Sequence, residues 1–286
     1  MKKFGVLVAM LLTAALLFTG CAQQEGFDPS NAIATVSREE GSGTRGAFVE
    51  LMGLEDEEGN DLTDVNADIA GSTSVMMTNV AGNPYAIGYI SLGSLDATVK
   101  AIKVDGVAAT VDEILAGNYK VSRPFNIAVK QDSLSEVAQD FVDYILSTEG
   151  QAVIEKAGYI PLSDTKAYAG SKPSGEIRVS GSSSVSPVME KLIEAYEALN
   201  TNASIQLQET DSTSGMNDAI EGRSDIGMAS RELKQSETES GLTGIVIATD
   251  GIAVIVNKEN PIEDLSSEQI KKIFMGQAAS WEEFEG

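Results

Sequence analysis

Arg38-Glu39-Glu40-Gly41-Ser42-Gly43-Thr44-Arg45 follows the apolar run Ile33–Ser37 and opens the helical pattern Thr44–Leu54. The design recurs twice. Gly181-Ser182-Ser183-Ser184-Val185-Ser186-Pro187 follows Ile177–Ser180 and opens Pro187–Leu199. Asp211-Ser212-Thr213-Ser214-Gly215 follows Ser204–Gln208 and opens Gly215–Glu221. Each is a turn of small, hydroxyl-bearing residues between a strand and a helix. A helix start leaves backbone N–H groups without intrahelical partners and carries partial positive charge. Glycine lets the backbone approach a ligand, and Ser or Thr hydroxyls add neutral donors. One such turn is an ordinary N-cap; three in one chain, one flanked by arginines, point to an oxyanion site that needs little formal charge. Arg38 offers a planar fork of donors that fits an oxyanion.

Outward from these turns, further strand-like runs lie at Ala86–Ser91, Lys100–Val104, Asp225–Ala229 and Gly244–Val256. Further helical patterns lie at Val111–Ala116, Leu134–Leu146, Glu149–Lys156 and Ser266–Phe274. Strands alternating with helices imply an α/β protein with parallel or mixed sheets. The segment 169–174, AGSKPS, reads as a linker, and no internal repeat relates the two sides of it.

Composition narrows the function. The formal charge is −23 over 286 residues. Nucleic-acid binding needs a basic face, so a nucleic-acid partner is not expected. With no histidine and a single cysteine, Ser-His-Asp chemistry, the usual zinc ligands and an internal disulfide are all excluded. No Gly-Lys-Ser/Thr sequence marks a P-loop, and Gly41-Ser42-Gly43 lacks the Gly-x-Ser-x-Gly spacing of a nucleophile elbow. No catalytic residue, cofactor or metal is expected.

The first residues read as an address. Lys2-Lys3 precede an apolar run, Phe4–Phe18, and then Thr19-Gly20-Cys21. That is an export signal over 1–20, too short for a confident membrane span. Phe18-Thr19-Gly20-Cys21 resembles the bacterial lipobox, with Phe18 in place of the usual Leu, so Cys21 is the expected lipidation site. Each buried acyl CH₂ contributes about 0.8 kcal/mol, and stable anchoring takes more than one chain. Residues 21–30 then read as a tether.

Taken together, SREEGSGTRGAF (37–48), AIGYISL (86–92), KVDGV (103–107), RPF (123–125), YILSTEGQ (144–151), GYIPL (158–162), GSSSVSP (181–187), DIGMASREL (225–233) and TDGIAVIVNK (249–258) closely resemble the phosphate-binding protein of Pst-type ABC importers in its Gram-positive lipoprotein form. The resemblance implies a two-lobed periplasmic-binding-protein-like fold of type II with a hinge. It implies capture of inorganic phosphate, delivery to the permease subunits of an ABC importer, and no enzymatic activity. It places the chain, lipid-anchored, on the outer face of the bacterial cytoplasmic membrane. The segment order departs from the family's: the part that usually comes second comes first, as in a circular permutation joined through 169–174. A misassembled tandem and halves swapped between two chains are the other readings of that order. On the permuted reading one lobe comprises 31–120 plus 249–286 and the other 121–168 plus 175–248.

Carried over residue by residue, the resemblance makes Arg38, Ser42, Gly43, Thr44, Ser183, Ser184, Val185 (through its N–H), Thr213 and Ser214 the expected phosphate contacts. Ser230 stands where better-known members carry an aspartate that accepts the proton of hydrogen phosphate. Arg231 beside it is a further candidate, and Arg45 either joins the site or faces solvent. Glu39, Glu40, Asp211 and Asp250 remain open as the carboxylate that enforces selectivity. Sulfate or molybdate is the alternative ligand, and a surface sensor or adhesin the alternative role.

Overall fold

The computed structural model describes residues 26–284, so Cys21 and the signal segment 1–20 lie outside the described residues. In chain order the strands are β1 (Ala34–Arg38), β2 (Asp68–Ala70), β3 (Ala86–Ser91), β4 (Lys100–Ala101), β5 (Lys103–Val104), β6 (Ser122–Val129), β7 (Gly175–Ser182), β8 (Ala203–Thr210), β9 (Ile226–Ala229), β10 (Thr243–Val256) and β11 (Asp264–Leu265). The helices are α1 (Gly43–Leu51), α2 (Thr73–Gly82), α3 (Val111–Leu115), α4 (Glu136–Ile145), α5 (Thr148–Lys156), α6 (Ser186–Leu199), α7 (Ser212–Glu221), α8 (Gln235–Glu239) and α9 (Ser267–Phe274).

Two cores share one continuous sheet of order β2-β1-β3-β10-β6-β9-β7-β8, with β4 also paired to β10. β10 is long enough to serve both: its residues 252–256 pair with β3, and its residues 243–251 pair with β6. One core gathers Phe48, Leu54, Tyr89, Phe274 and Trp281 around β1, β3 and the end of β10. The other gathers Phe125, Phe141, Ile145, Val179, Leu192 and Tyr196 under α4, α5 and α6. A smaller cluster of Met216, Ala219, Ala229 and Leu242 packs α7 on the opposite face of that sheet. The mixed pairing fits buried strands with helices on both faces, which read as near-continuous apolar runs.

Five elements were not expected from the sequence: β2, β6, β11, α2 and α8. β6 contains Pro124, which cannot donate to a ladder and argues against a central strand. The sheet accommodates it at a break, where the register of β10 against β6 shifts between Val246 and Ala248 and Pro124 lies opposite Thr249. α2 has no apolar stripe in TSVMMTNVAG and is set by its cap, the Ser72 side chain accepting from Val75 N at 3.3 Å.

The tether expected over 21–30 does not extend through Phe27. That ring packs 5.1 Å from Tyr85 and 6.3 Å from Trp281, and Pro29 O accepts from Glu282 N. The linker is likewise pinned, with Ser171 N donating to Asp140 Oδ1 at 3.0 Å and Asn200 Nδ2 to Pro173 O at 2.9 Å. Among the described residues no helix is long and apolar enough to cross a membrane.

Candidate oxyanion site

The three hydroxyl-rich turns are laid down by parallel strands followed by helices. β1 delivers Arg38, and the chain then reverses at Gly41, whose φ of +89° only glycine adopts without strain. Ser42 caps α1, accepting from Arg45 N at 3.3 Å. β7 delivers Ser182–Val185 to the start of α6, which carries Pro187 where a missing N–H is harmless. β8 ends at Thr210, and the next residue, Asp211, caps α7 by accepting from Ser214 N at 2.9 Å.

The turns meet. Arg38 is 1% exposed, and its guanidinium reaches Ser183 Oγ of the other core at 3.0 Å and Thr73 Oγ1 at 3.3 Å. Its remaining edge is held by Glu39, with Nε and Nη2 each donating to the carboxylate at 2.7 Å. Thr44 Oγ1 and Ser184 Oγ share a hydrogen bond of 2.8 Å. Thr73, the first residue of α2, donates its N–H to Ser183 Oγ at 3.3 Å and brings its hydroxyl within 3.2 Å of Ser184 Oγ. Behind these, Ser182 Oγ donates to Ser230 Oγ at 2.9 Å, and Ser230 N donates to Ser212 Oγ at 3.1 Å. Gly43 closes against this row: a Cβ there would lie 2.4 Å from Ser212 Oγ and 2.8 Å from Ser230 Oγ.

Four helix starts therefore converge on one buried cluster: α1 at Gly43–Thr44, α2 at Thr73, α6 just beyond Ser183–Ser184, and α7 at Ser212. Their first-turn N–H groups have no intrahelical partner and sum to a positive potential. With Arg38 matched by Glu39, the field comes mainly from oriented dipoles, even though the chain carries −23.

The structure brings Arg38, Gly43, Thr44, Ser183, Ser184 and Ser230 together, with Ser42 as the cap beside them. It sends four expected contacts elsewhere. Val185 N is spent on Ser182 O at 3.0 Å. Ser214 is turned onto its own cap, with Oγ 2.5 Å from Asp211 Oδ2. Thr213 donates both N–H and hydroxyl to Gly41 O, at 3.2 and 3.1 Å. Arg231 is clamped by Glu237 at 2.7 and 2.9 Å. The physical reason for the third-turn shift is that α7 begins at Ser212 rather than at Gly215, so the inward position falls on Ser212. Arg45 lies outside the cluster, bound to Asp61 at 2.6 Å and to Arg38 O at 3.0 Å. Ser212 and Thr73 are the residues sequence reasoning missed. The signal for Ser212 was present, because Asp211 three residues before Ser214 is an N-cap spacing.

The four carboxylates left open for selectivity separate cleanly. Glu39 holds Arg38, Asp211 caps α7, and Glu40 is exposed. Asp250 pairs with Arg123 at 3.2 Å in full burial and accepts from Ser91 Oγ at 2.9 Å. Burial pushes Asp250 up to about 6 against the pull of Arg123 and Ser91, and burial pulls Arg123 below its ordinary value. Among the described residues no group of three His, Cys, Asp or Glu side chains is placed to hold a metal ion.

Comparison with known proteins identifies the family. The family model described as "PBP superfamily domain" matches residues 18–149 and 166–286. The chain is 50% identical to Phosphate-binding protein PstS 2 of Streptococcus agalactiae serotype V, over 98% of each chain. It is 35% identical to Phosphate-binding protein PstS of Staphylococcus haemolyticus over only 116 residues, 38% of this chain and 37% of that one. A crystal structure of the phosphate-binding protein of a phosphate ABC transporter from Streptococcus pneumoniae TIGR4 superposes with a TM-score of 0.71 and 42% identity, covering 89% of this chain and 100% of that chain. The chain belongs to the PBP superfamily and, within it, to the family of PstS phosphate-binding proteins.

Proposed function

We propose that this chain captures inorganic phosphate outside the cytoplasm and delivers it to the permease subunits of an ABC importer, held at the membrane by a lipid on Cys21 and performing no chemistry on its ligand. The observation that carries the reading is the cradle itself. One buried guanidinium, five hydroxyls (Thr44, Thr73, Ser183, Ser184 and Ser230) and four helix starts, drawn from both cores, face one another. Such a set can donate to the oxygens of a small tetrahedral anion, and the chain has no histidine to activate its hydroxyls as nucleophiles.

The lobes of this reading are 31–120 plus 249–286 and 121–168 plus 175–248, joined where β6 and β10 cross, and closure over the anion is the hinge motion of binding proteins. The permuted order is supported by the match pattern. Relatives such as the Streptococcus agalactiae protein align from end to end, whereas the Staphylococcus haemolyticus protein aligns over little more than a third. The names of those relatives and of the Streptococcus pneumoniae structure support phosphate as the ligand.

Calorimetry with phosphate, sulfate, arsenate and molybdate tests the proposal. The expected result is micromolar or tighter phosphate binding with little sulfate binding. Equal affinity for phosphate and sulfate rejects phosphate as the dedicated ligand. A second reading, a receptor for another oxyanion, is favoured by one feature: the candidate carboxylates are engaged elsewhere or exposed, and Ser230 offers only a hydroxyl.

A further inference from the structure

Thr213, expected to touch the anion, instead links the two cores beside the cradle. Its N–H and its hydroxyl both donate to the carbonyl of Gly41, at 3.2 and 3.1 Å. Its hydroxyl oxygen in turn accepts from Arg231 Nη2 at 3.2 Å. Arg231 is itself fixed by a two-pronged pair with Glu237, side chains 11% and 6% exposed, and its carbonyl accepts from Asn126 Nδ2 of β6 at 3.0 Å. The acceptor side is equally constrained. Gly41 holds a positive φ, and a Cβ there would lie 2.5 Å from Asp211 Oδ1. Gly41, Thr213 and Arg231 also line a partly open cavity of about 400 Å³, together with Ser42, Arg45 and Lys234.

We propose that the Thr213–Gly41 bridge is the latch that holds the cleft shut over the bound anion, with Arg231 as the residue that positions it. Four features fit a latch better than a ligand contact. The bridge spans the two cores directly. It consumes the donors of Thr213. It is braced by an ion pair wholly on one side. It lines the outer cavity beside Ser42, the cap next to the cradle. A latch forms after capture, so it governs release and leaves encounter untouched. The inference rests on the oxyanion reading above, with phosphate as the anion.

The test is the split between association and dissociation rates for phosphate in wild type, Thr213→Val, Thr213→Ser and Arg231→Gln. Thr213→Val keeps the shape and the N–H but removes the hydroxyl. Both Thr213→Val and Arg231→Gln are expected to release phosphate about fivefold to tenfold faster, the worth of one hydrogen bond, with association within about twofold of wild type. Thr213→Ser restores slow release. Unchanged release in both variants overturns the latch. Fast release in Thr213→Val alone assigns Thr213 to direct anion contact and also overturns it. Paired spin labels on the two cores provide a readout independent of ligand identity. The closed distance should be less populated in Thr213→Val and Arg231→Gln than in wild type, and equal populations contradict the latch. Failure of wild type to bind phosphate rejects the functional reading, while the distance measurement still decides the latch.

Discussion

Two arginines are sealed inside this protein, and their surroundings differ in one respect. Arg38 and Arg123 are 1% and 3% exposed, and each has a carboxylate partner. Arg123 faces Asp250 across neighbouring strands of the sheet, where β10 leaves one core for the other, and its ring neighbour is Phe125 at 5.5 Å. Those partners are fixed by backbone register. Arg38 keeps one edge on Glu39 and turns the others to the hydroxyls of Ser183 and Thr73, which sit on separate elements. Neutral hydroxyls can exchange partners at small cost, whereas a registered carboxylate cannot. Burial of a charge therefore does not mark a binding site; exchangeable partners gathered from more than one element do.

The largest expected effect breaks the hinge pair. Asp250→Ala leaves the buried Arg123 guanidinium and the Ser91 hydroxyl without their shared acceptor and is expected to cost about 3–5 kcal/mol in urea unfolding. The affinity of the folded variant for phosphate should fall by less than about tenfold, because Asp250 touches no cradle group. Next is Arg38→Ala, expected to weaken phosphate binding at least about a hundredfold in calorimetry. Near-wild-type binding would remove Arg38 from the site and erase the contrast. Smaller again are Thr73→Val and Ser212→Ala, each removing one neutral hydroxyl and expected to weaken binding about fivefold to tenfold. An unchanged affinity in both would return the site to the residues expected from the sequence alone.

The subtlest prediction is a pH slope. Burial raises Asp250 from 3.8 to about 6, so between those values the folded state holds a proton that the unfolded state has released. This residue's contribution is therefore most favourable below the lower value and is lost as pH rises through about 6. The stability of wild type minus that of Asp250→Asn should shrink as pH increases across that window. A flat difference would show that Asp250 titrates normally.

The contrast also explains what was legible in the sequence. The three turns could be read because small residues and hydroxyls between an apolar run and a helix have few other uses. Arg38 could be read because it opens the first of them. What escaped depended on one-residue placement or on a rule with a local exception. Ser212 was passed over for Thr213 and Ser214 because the start of α7 was set at Gly215, and a helix start displaced by three residues changes which hydroxyl faces inward. Thr73 was missed with α2, whose sequence lacks a periodic stripe and whose cap, Ser72, stands among other small polar residues. β6 was missed because Pro124 argues against a central strand, and only the irregular register of β10 admits it. Arg123 and Asp250 could be named in the sequence but not paired, because they meet through that same strand pairing.

The most direct test is a crystal structure of the protein with phosphate. The account predicts one tetrahedral anion enclosed between the two cores. Its oxygens should lie within hydrogen-bond distance of Arg38, Thr44, Ser183, Ser184 and the first N–H groups of α1, with Thr213 bound to Gly41 rather than to the anion. Phosphate bound only at the outer cavity near Arg45 and Lys234, or none bound between the cores, would contradict it.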